Sequence, residues 1–442
     1  MSHVFPRHSK IEVPVASRAS GCYIFDSNGK KYFDGSGGAA VSCLGHGDKD
    51  IEEAIKSQLG KLAYAHNSFF SSEPAEDLAD LLIEHAPTGL DRVYFVSGGS
   101  EAMEASIKLA RQYFVEKGEL NRRHIIARKQ SYHGNTLGAL AIGGNELRRK
   151  QFSPLMFETN HIDACFPFRE KYTHENEYDY GQRVAKTLED KILQLGPEEV
   201  IAFVAETVVG STLGAVTAVE GYFQKIREIC NQYGILLILD EVMCGMGRTG
   251  SLFACTQENI SPDIIAIAKG LGAGYQPVGA MLCSDEIYST ISNGSGFFQH
   301  GHTYLGHPVA CAAANAVLSK IISNNLPNRV NKMGNKLQKE LTLKFGQHNN
   351  IGDIRGRGLF IGLEFVRDKK TNSAFEREQG FNKVFKAAAF EEGLICYPMG
   401  GTIDGKQGDH VLLAPPFIIE DKHIDELISK LDKTLKITLK TL

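Results

Sequence analysis

Three stretches of the chain put chemically capable residues where a fold could use them. In GILLILDEV, Asp240 closes an unbroken apolar run, and a carboxylate at the end of a buried strand needs a partner, because an unpaired buried charge costs several kcal/mol. A neighbouring Arg or Lys would satisfy it, and so would a protonated ring nitrogen. In DIIAIAKGLGAGYQP, Lys269 follows a second apolar run and precedes glycines that let backbone or ligand come close. A lysine half-buried among apolar groups is disfavoured as the ammonium, so its amine can attack a carbonyl and form a Schiff base. Taken alone, a solvated lysine at the start of a loop explains the same text. In VYFVSGGSEAM, the turn Ser97-Gly98-Gly99-Ser100 opens a helix whose apolar residues are Met103, Ile107 and Ala110. Free N–H groups and the positive end of the helix dipole suit a phosphate there, while a tight connection capped by Ser100 is the structural alternative. No GxxxxGK[ST] run is present, which disfavours a nucleotide-hydrolysing P-loop. The three features together are the parts needed to hold a phosphorylated pyridine aldehyde.

The elements that must position them are legible in the pattern. Apolar runs at 92–96, 124–127, 200–206, 234–240, 263–268 and 279–283 alternate with helical periodicity, which predicts an α/β fold: a mostly parallel sheet covered by helices on both faces. Open sheets of this kind bind ligands beyond the carboxyl ends of their strands. Gly21 to Asp34 reads as two strands around a Ser-Asn-Gly turn. After about residue 320 the text changes to long polar helices, a strand pair near GRGLFIGLEFV and a last helix from Asp421. The expected organisation is a large domain over 61–320, with a smaller α+β domain built from 1–60 and 321–442.

The chain has 442 residues and 43% hydrophobic content, enough for one large core and a smaller second one. Its 48 basic and 52 acidic residues form no long run of either sign, which argues for small-molecule partners rather than nucleic acid. No signal peptide and no apolar run of ~18–20 residues is evident, so no membrane association and a cytoplasmic location are expected. Nine cysteines lie scattered without a CxxC pair or metal-ligand spacing, and are read as reduced, mostly buried residues. No metal is expected.

The text also resembles, over nearly its whole length, the class III aminotransferases among the fold type I pyridoxal-phosphate enzymes. The matching segments are SGGSEAMEASIKLAR at 97–111, SYHGNT at 131–136, AET at 205–207, LDEVMCGMGRTG at 239–250, AKGLGAGYQPVGA at 268–280, GHTYLGHPVACAAA at 301–314, RGRGLF at 355–360 and APPF at 414–417. The resemblance implies pyridoxal 5′-phosphate as cofactor. It implies that Gly99 and Ser100 bind the phosphate, that Tyr132 stacks on the cofactor ring with Val242 on the other face, and that Asp240 pairs with the pyridine nitrogen. Lys269 would be the Schiff-base lysine and proton shuttle, and Glu206 a site-facing acid. Thr303 would reach the phosphate of a neighbouring subunit, implying a homodimer with shared sites. His133 follows the stacking residue, and for a lone histidine packing is as good a reading as catalysis.

Substrate choice is where this chain departs from the family pattern. Members that use glutamate commonly carry an arginine just before the APP motif and a glutamate shortly after the position of Glu206; Leu412 and Ser211 stand there. The bidentate carboxylate clamp is missing, and residues 393–411 contain no arginine. Arg357 is a nominal replacement, but an arginine beside glycines at a turn is more often structural. The reading is an ω-aminotransferase with an amine or ω-amino acid as donor and an oxo acid such as pyruvate as acceptor. A mutase, racemase or decarboxylase would keep the same cofactor residues, whereas a non-catalytic cofactor-binding protein would be expected to have lost Lys269 or Asp240.

Overall fold

The computed structural model describes residues 3–442. Seven strands form the main sheet, in the spatial order Arg92–Val96, Gly279–Cys283, Ile264–Ile267, Leu236–Asp240, Val200–Glu206, His124–Arg128 and Asn160–Ile162. The central strands are buried along their whole length, as a sheet covered on both faces requires. Alternate residues feed different cores. Leu237, Leu239, Ile265 and Ile267 pack with the helices Glu177–Leu195 and Tyr222–Tyr233. Leu236, Ile238, Ile264 and Ala266 pack on the other face with Met103, Ile107 and Ala110 of the helix Gly99–Glu116. Each fully buried Leu or Ile contributes about 1.5–3 kcal/mol.

Two details differ from the sequence expectation. Gly279–Cys283 runs antiparallel to both its neighbours, because the connection from Ile267 carries only the 3₁₀ turn Lys269–Leu271 and is too short for the helical crossover that a parallel return needs. The edge strand Asn160–Ile162 was not anticipated: with three residues, two of them polar, it has no apolar run to announce it.

A second, antiparallel sheet takes the order Ile351–Arg357, Phe360–Phe365, Asp409–Leu413 and Tyr397–Gly400. Helices Leu326–Phe345, Phe381–Glu391 and Asp421–Thr441 share its core, which holds Phe345, Phe365, Phe385 and Leu413. The N-terminal hairpin forms as its turn residues predict, with Gly29 at φ +84° between Tyr23–Asp26 and Lys31–Asp34. Lys31–Asp34 then pairs in parallel with Leu394–Ile395, so the two ends of the chain share one sheet. Among the described residues no helix is long and apolar enough to cross a membrane.

Candidate active site

A cavity of about 580 Å³ opens beyond the carboxyl ends of the parallel strands. Each strand end delivers one part. Arg92–Val96 runs into Ser97 to Ser100 and the start of the Gly99–Glu116 helix; His124–Arg128 leads to Tyr132 and His133; Val200–Glu206 and Leu236–Asp240 end on Glu206 and Asp240; and Ile264–Ile267 leads to Lys269.

The helix start presents N–H groups of Gly99 and Ser100 that have no partner within the helix. Its N-cap is Gly98, without a side-chain cap, so the capping role open to Ser100 is not the one observed. Ser100 Oγ instead accepts from the Asn135 N–H at 2.9 Å, which ties the helix start to the loop carrying Tyr132. Gly99 is needed for close approach: a Cβ there would lie 2.6 Å from Val242 Cγ1.

Asp240 is 5% exposed. No Arg or Lys pairs with it; Oδ2 lies 2.8 Å from His133 Nδ1 and Oδ1 accepts from the Val242 N–H at 2.9 Å. His133 is wholly buried, and its Nε2 has no partner among the described residues. Glu206 accepts from the N–H groups of Tyr132 at 3.0 Å and Gly210 at 2.8 Å, so the acid fixes the backbone at Tyr132. Burial, with Asp240 nearby, pushes its carboxyl above the usual range.

Lys269 sits at φ +47°, a left-handed conformation of the kind that costs of order 1–3 kcal/mol and gathers at functional sites. Its amine is half-buried at the cavity wall. Burial lowers its pKa to about 8, against the pull of Asp240 and Glu206, and no hydrogen bond or ion pair holds it among the described residues.

Thr303 is not in this cavity. It lies exposed in a loop near Phe297, where its carbonyl accepts from the Tyr64 hydroxyl at 2.9 Å. Ser211 lines the cavity with a buried hydroxyl that has no partner among the described residues. Leu412 does not reach it; this residue is 1% exposed and packs with Phe360, Met243 and Ala414. Arg357 pairs with Glu258 at 2.8 Å and donates to Gln257 at 3.0 Å, outside the cavity. Among the wall residues that sequence reasoning missed are Arg7, Arg148 and Tyr397. Arg148 lies with its guanidinium carbon 4.3 Å from the centre of the Tyr132 ring, and nothing in NELRRKQ separates it from ordinary surface charge.

The residues present fit pyridoxal phosphate: unpaired helix N–H groups for its phosphate, a buried carboxylate for its ring nitrogen, and an unpartnered amine of lowered pKa for its aldehyde. Fold and cavity define an α/β enzyme of the fold type I pyridoxal-phosphate class. Comparison with known proteins narrows this. Residues 4–435 match the model of the aminotransferase class III family. An uncharacterized aminotransferase of Schizosaccharomyces pombe is 46% identical over 97% of this chain and 94% of its own length. Gamma aminobutyrate transaminase 2 of Solanum lycopersicum is 39% identical over 96% of this chain and 92% of its own. The crystal structure of the omega transaminase from Pseudomonas jessenii in complex with PMP superposes with a TM-score of 0.93 at 29% identity, covering 99% of this chain and 97% of that one. The chain belongs to the class III aminotransferases and is a pyridoxal-phosphate-dependent enzyme that transfers amino groups.

Proposed function

We propose that the amino group comes from an amine or ω-amino acid and passes to an oxo acid such as pyruvate. The observation that carries the site assignment is that one cavity holds the Lys269 amine, unpartnered and of lowered pKa, together with the Asp240 carboxylate and the open helix start at Gly99 and Ser100. In this reading Gly99 and Ser100 hold the phosphate, Tyr132 and Val242 flank the ring, and Asp240, itself oriented by His133, keeps the ring nitrogen protonated. Glu206 holds the Tyr132 loop. When bound, the cofactor supplies an electron sink for the substrate carbon. Lys269 would anchor it and, as a free amine, would take the proton from that carbon and return it, from the same face, to the carbon that had carried the aldehyde.

The donor reading is supported by the absence of an arginine at Leu412, which packs behind the cavity wall in one cluster with the wall residues Val208, Met243 and Tyr397, and by the names of the gamma aminobutyrate and omega transaminase relatives. The homodimer belongs to the same proposal. Phe69, Phe70, Phe297 and Tyr304 are 61–79% exposed, and the loop carrying Phe297 and Tyr304 also carries Thr303. A second copy of the chain would cover that patch and set Thr303 against the neighbouring phosphate. We likewise retain a division into a large domain over 61–320 and a small one from both chain ends.

A screen of donors and acceptors on the purified holoenzyme tests the reading. A donor alone should convert the cofactor to a stable pyridoxamine form; recycling of the starting absorbance with racemised donor would point to a racemase instead. Lys269→Ala should lose at least about a hundredfold in turnover, and full activity in that variant would refute the site.

A further inference from the structure

Among the described residues no acid and no hydrogen-bond acceptor meets the Arg148 guanidinium. The single helical turn Glu146–Arg149 holds two arginines that go different ways. Arg149 Nη1 meets His161 Nδ1 at 3.3 Å, whereas Arg148 rests on the Tyr132 ring and lines the cavity that holds Lys269. Its side chain makes no hydrogen bond and no ion pair among the described residues, although it is half-buried. That sets it apart from the other buried and half-buried arginines among the described residues, although exposed Arg18 likewise rests only on a ring, that of Phe25. Arg248 donates to the carbonyls of Leu359 and Pro415, Arg355 pairs with Glu364, and Arg357 pairs with Glu258. The cavity's own acids are engaged elsewhere, Asp240 by His133 and the Val242 N–H, Glu206 by two backbone N–H groups. Resting on an aromatic face satisfies none of the five guanidinium N–H donors, and the fork they form matches an oxyanion. The phosphate seat at Gly99 and Ser100 has N–H donors of its own.

We propose that Arg148 is the residue that recognises the anionic end of the substrate, taking a carboxylate carried by the amino donor and thereby replacing the clamp absent at Leu412 and Ser211. This rests on the aminotransferase reading of the cavity. The substrate class that follows is an amine whose chain ends in a carboxylate, with the sulfonate as the other oxyanion of matching charge. Arg7, exposed at the same cavity wall, is a second cation against which the assignment can be judged.

The test uses the holoenzyme, with calorimetric titration by butanoate, which has the anion and no amine, and single-turnover conversion of the cofactor by 4-aminobutanoate and by butylamine. In Arg148→Gln, butanoate affinity should fall about tenfold to a hundredfold, the loss expected for a charge-assisted hydrogen-bonded pair. The ratio of kcat/KM for 4-aminobutanoate over butylamine should fall by a similar factor, through KM, and Arg148→Lys should recover part of it. Replacing butanoate by butanesulfonate shows which oxyanion is preferred. Unchanged butanoate affinity, an equal loss for both donors, release of the cofactor in Arg148→Gln, or the same anion effect in Arg7→Gln with none in Arg148→Gln would each overturn the assignment. If the unaltered enzyme converts neither donor, the donor reading fails, while the butanoate titration still decides the role of Arg148.

Discussion

Lys269 shows how one residue's chemistry is set by its surroundings. Written in the sequence it is one of 48 cations; in the fold it is half-buried at a strand end, and burial brings its pKa from 10.5 to about 8. With Lys269 as the proposed Schiff-base residue, capture of pyridoxal phosphate by the apoenzyme needs its free amine. Its rate should therefore rise with pH and level off above a midpoint near 8. A rate that continued to climb tenfold per pH unit beyond pH 9.5 would show a lysine with an ordinary pKa. The same shift has a stability consequence of definite sign. The unfolded chain binds more protons at this site between about pH 8 and 10.5, so the penalty for burying Lys269 is full below 8 and fades as pH rises through 10.5. Asp240 was legible as a carboxylate needing a partner, but His133 as that partner was not, since 107 residues separate them.

At the scale of elements, the contact between the Gly99–Glu116 helix start and the loop after His124–Arg128 sets where the proposed phosphate seat lies. Gly134 makes that contact possible: it sits at φ +133°, and a Cβ would lie 2.7 Å from Ser100 Oγ and 2.8 Å from Ser100 Cα. Gly134→Ala should push Ser100 and the helix start off the cavity, weakening cofactor binding about tenfold or more while costing about 1–3 kcal/mol of stability. Spectroscopic titration of the apo variant with cofactor, alongside a chemical melt, checks both. Cofactor affinity equal to that of the parent would show that the seat tolerates the shift. Of the main sheet, the apolar strands were readable because their pattern of side chains is local. The antiparallel direction of Gly279–Cys283 was not, because direction depends on where a short connection can land.

Across the whole molecule, a few buried polar groups join the main sheet to the C-terminal segment. Glu364, with no exposure, pairs with Arg169 on one side and Arg355 on the other, each at 2.6 Å, and Arg355 reaches the carbonyl of Gly214 at 2.9 Å. Glu364→Gln would leave two arginines facing an uncharged amide and should destabilise the protein by about 3 kcal/mol, measured by denaturant unfolding; a loss below 1 kcal/mol would show that water replaces the pair. The exposed aromatic patch makes the complementary prediction about assembly. On the proposed dimer, a Phe70→Asp, Phe297→Asp double variant, with residues 68% and 62% exposed, should sediment as a monomer and lose turnover, because Thr303 would no longer be set against a partner's site. A parent chain that is itself monomeric and active would refute the dimer.

By itself the sequence determined the class of fold, the strand ends and the order of motifs, because apolar periodicity, glycine turns and strand-terminal charges act over a few residues. Through those it singled out Lys269, Asp240 and the Gly99-Ser100 seat as one chemistry. Tertiary structure alone decided that His133 faces Asp240, that Glu206 spends its carboxylate on the Tyr132 loop, that Leu412 packs outside the cavity, and that Arg148 lines it without a partner. Each of these is a meeting of side chains from distant segments, and only the folded chain makes the distances that create a pair, or leave a charge without one.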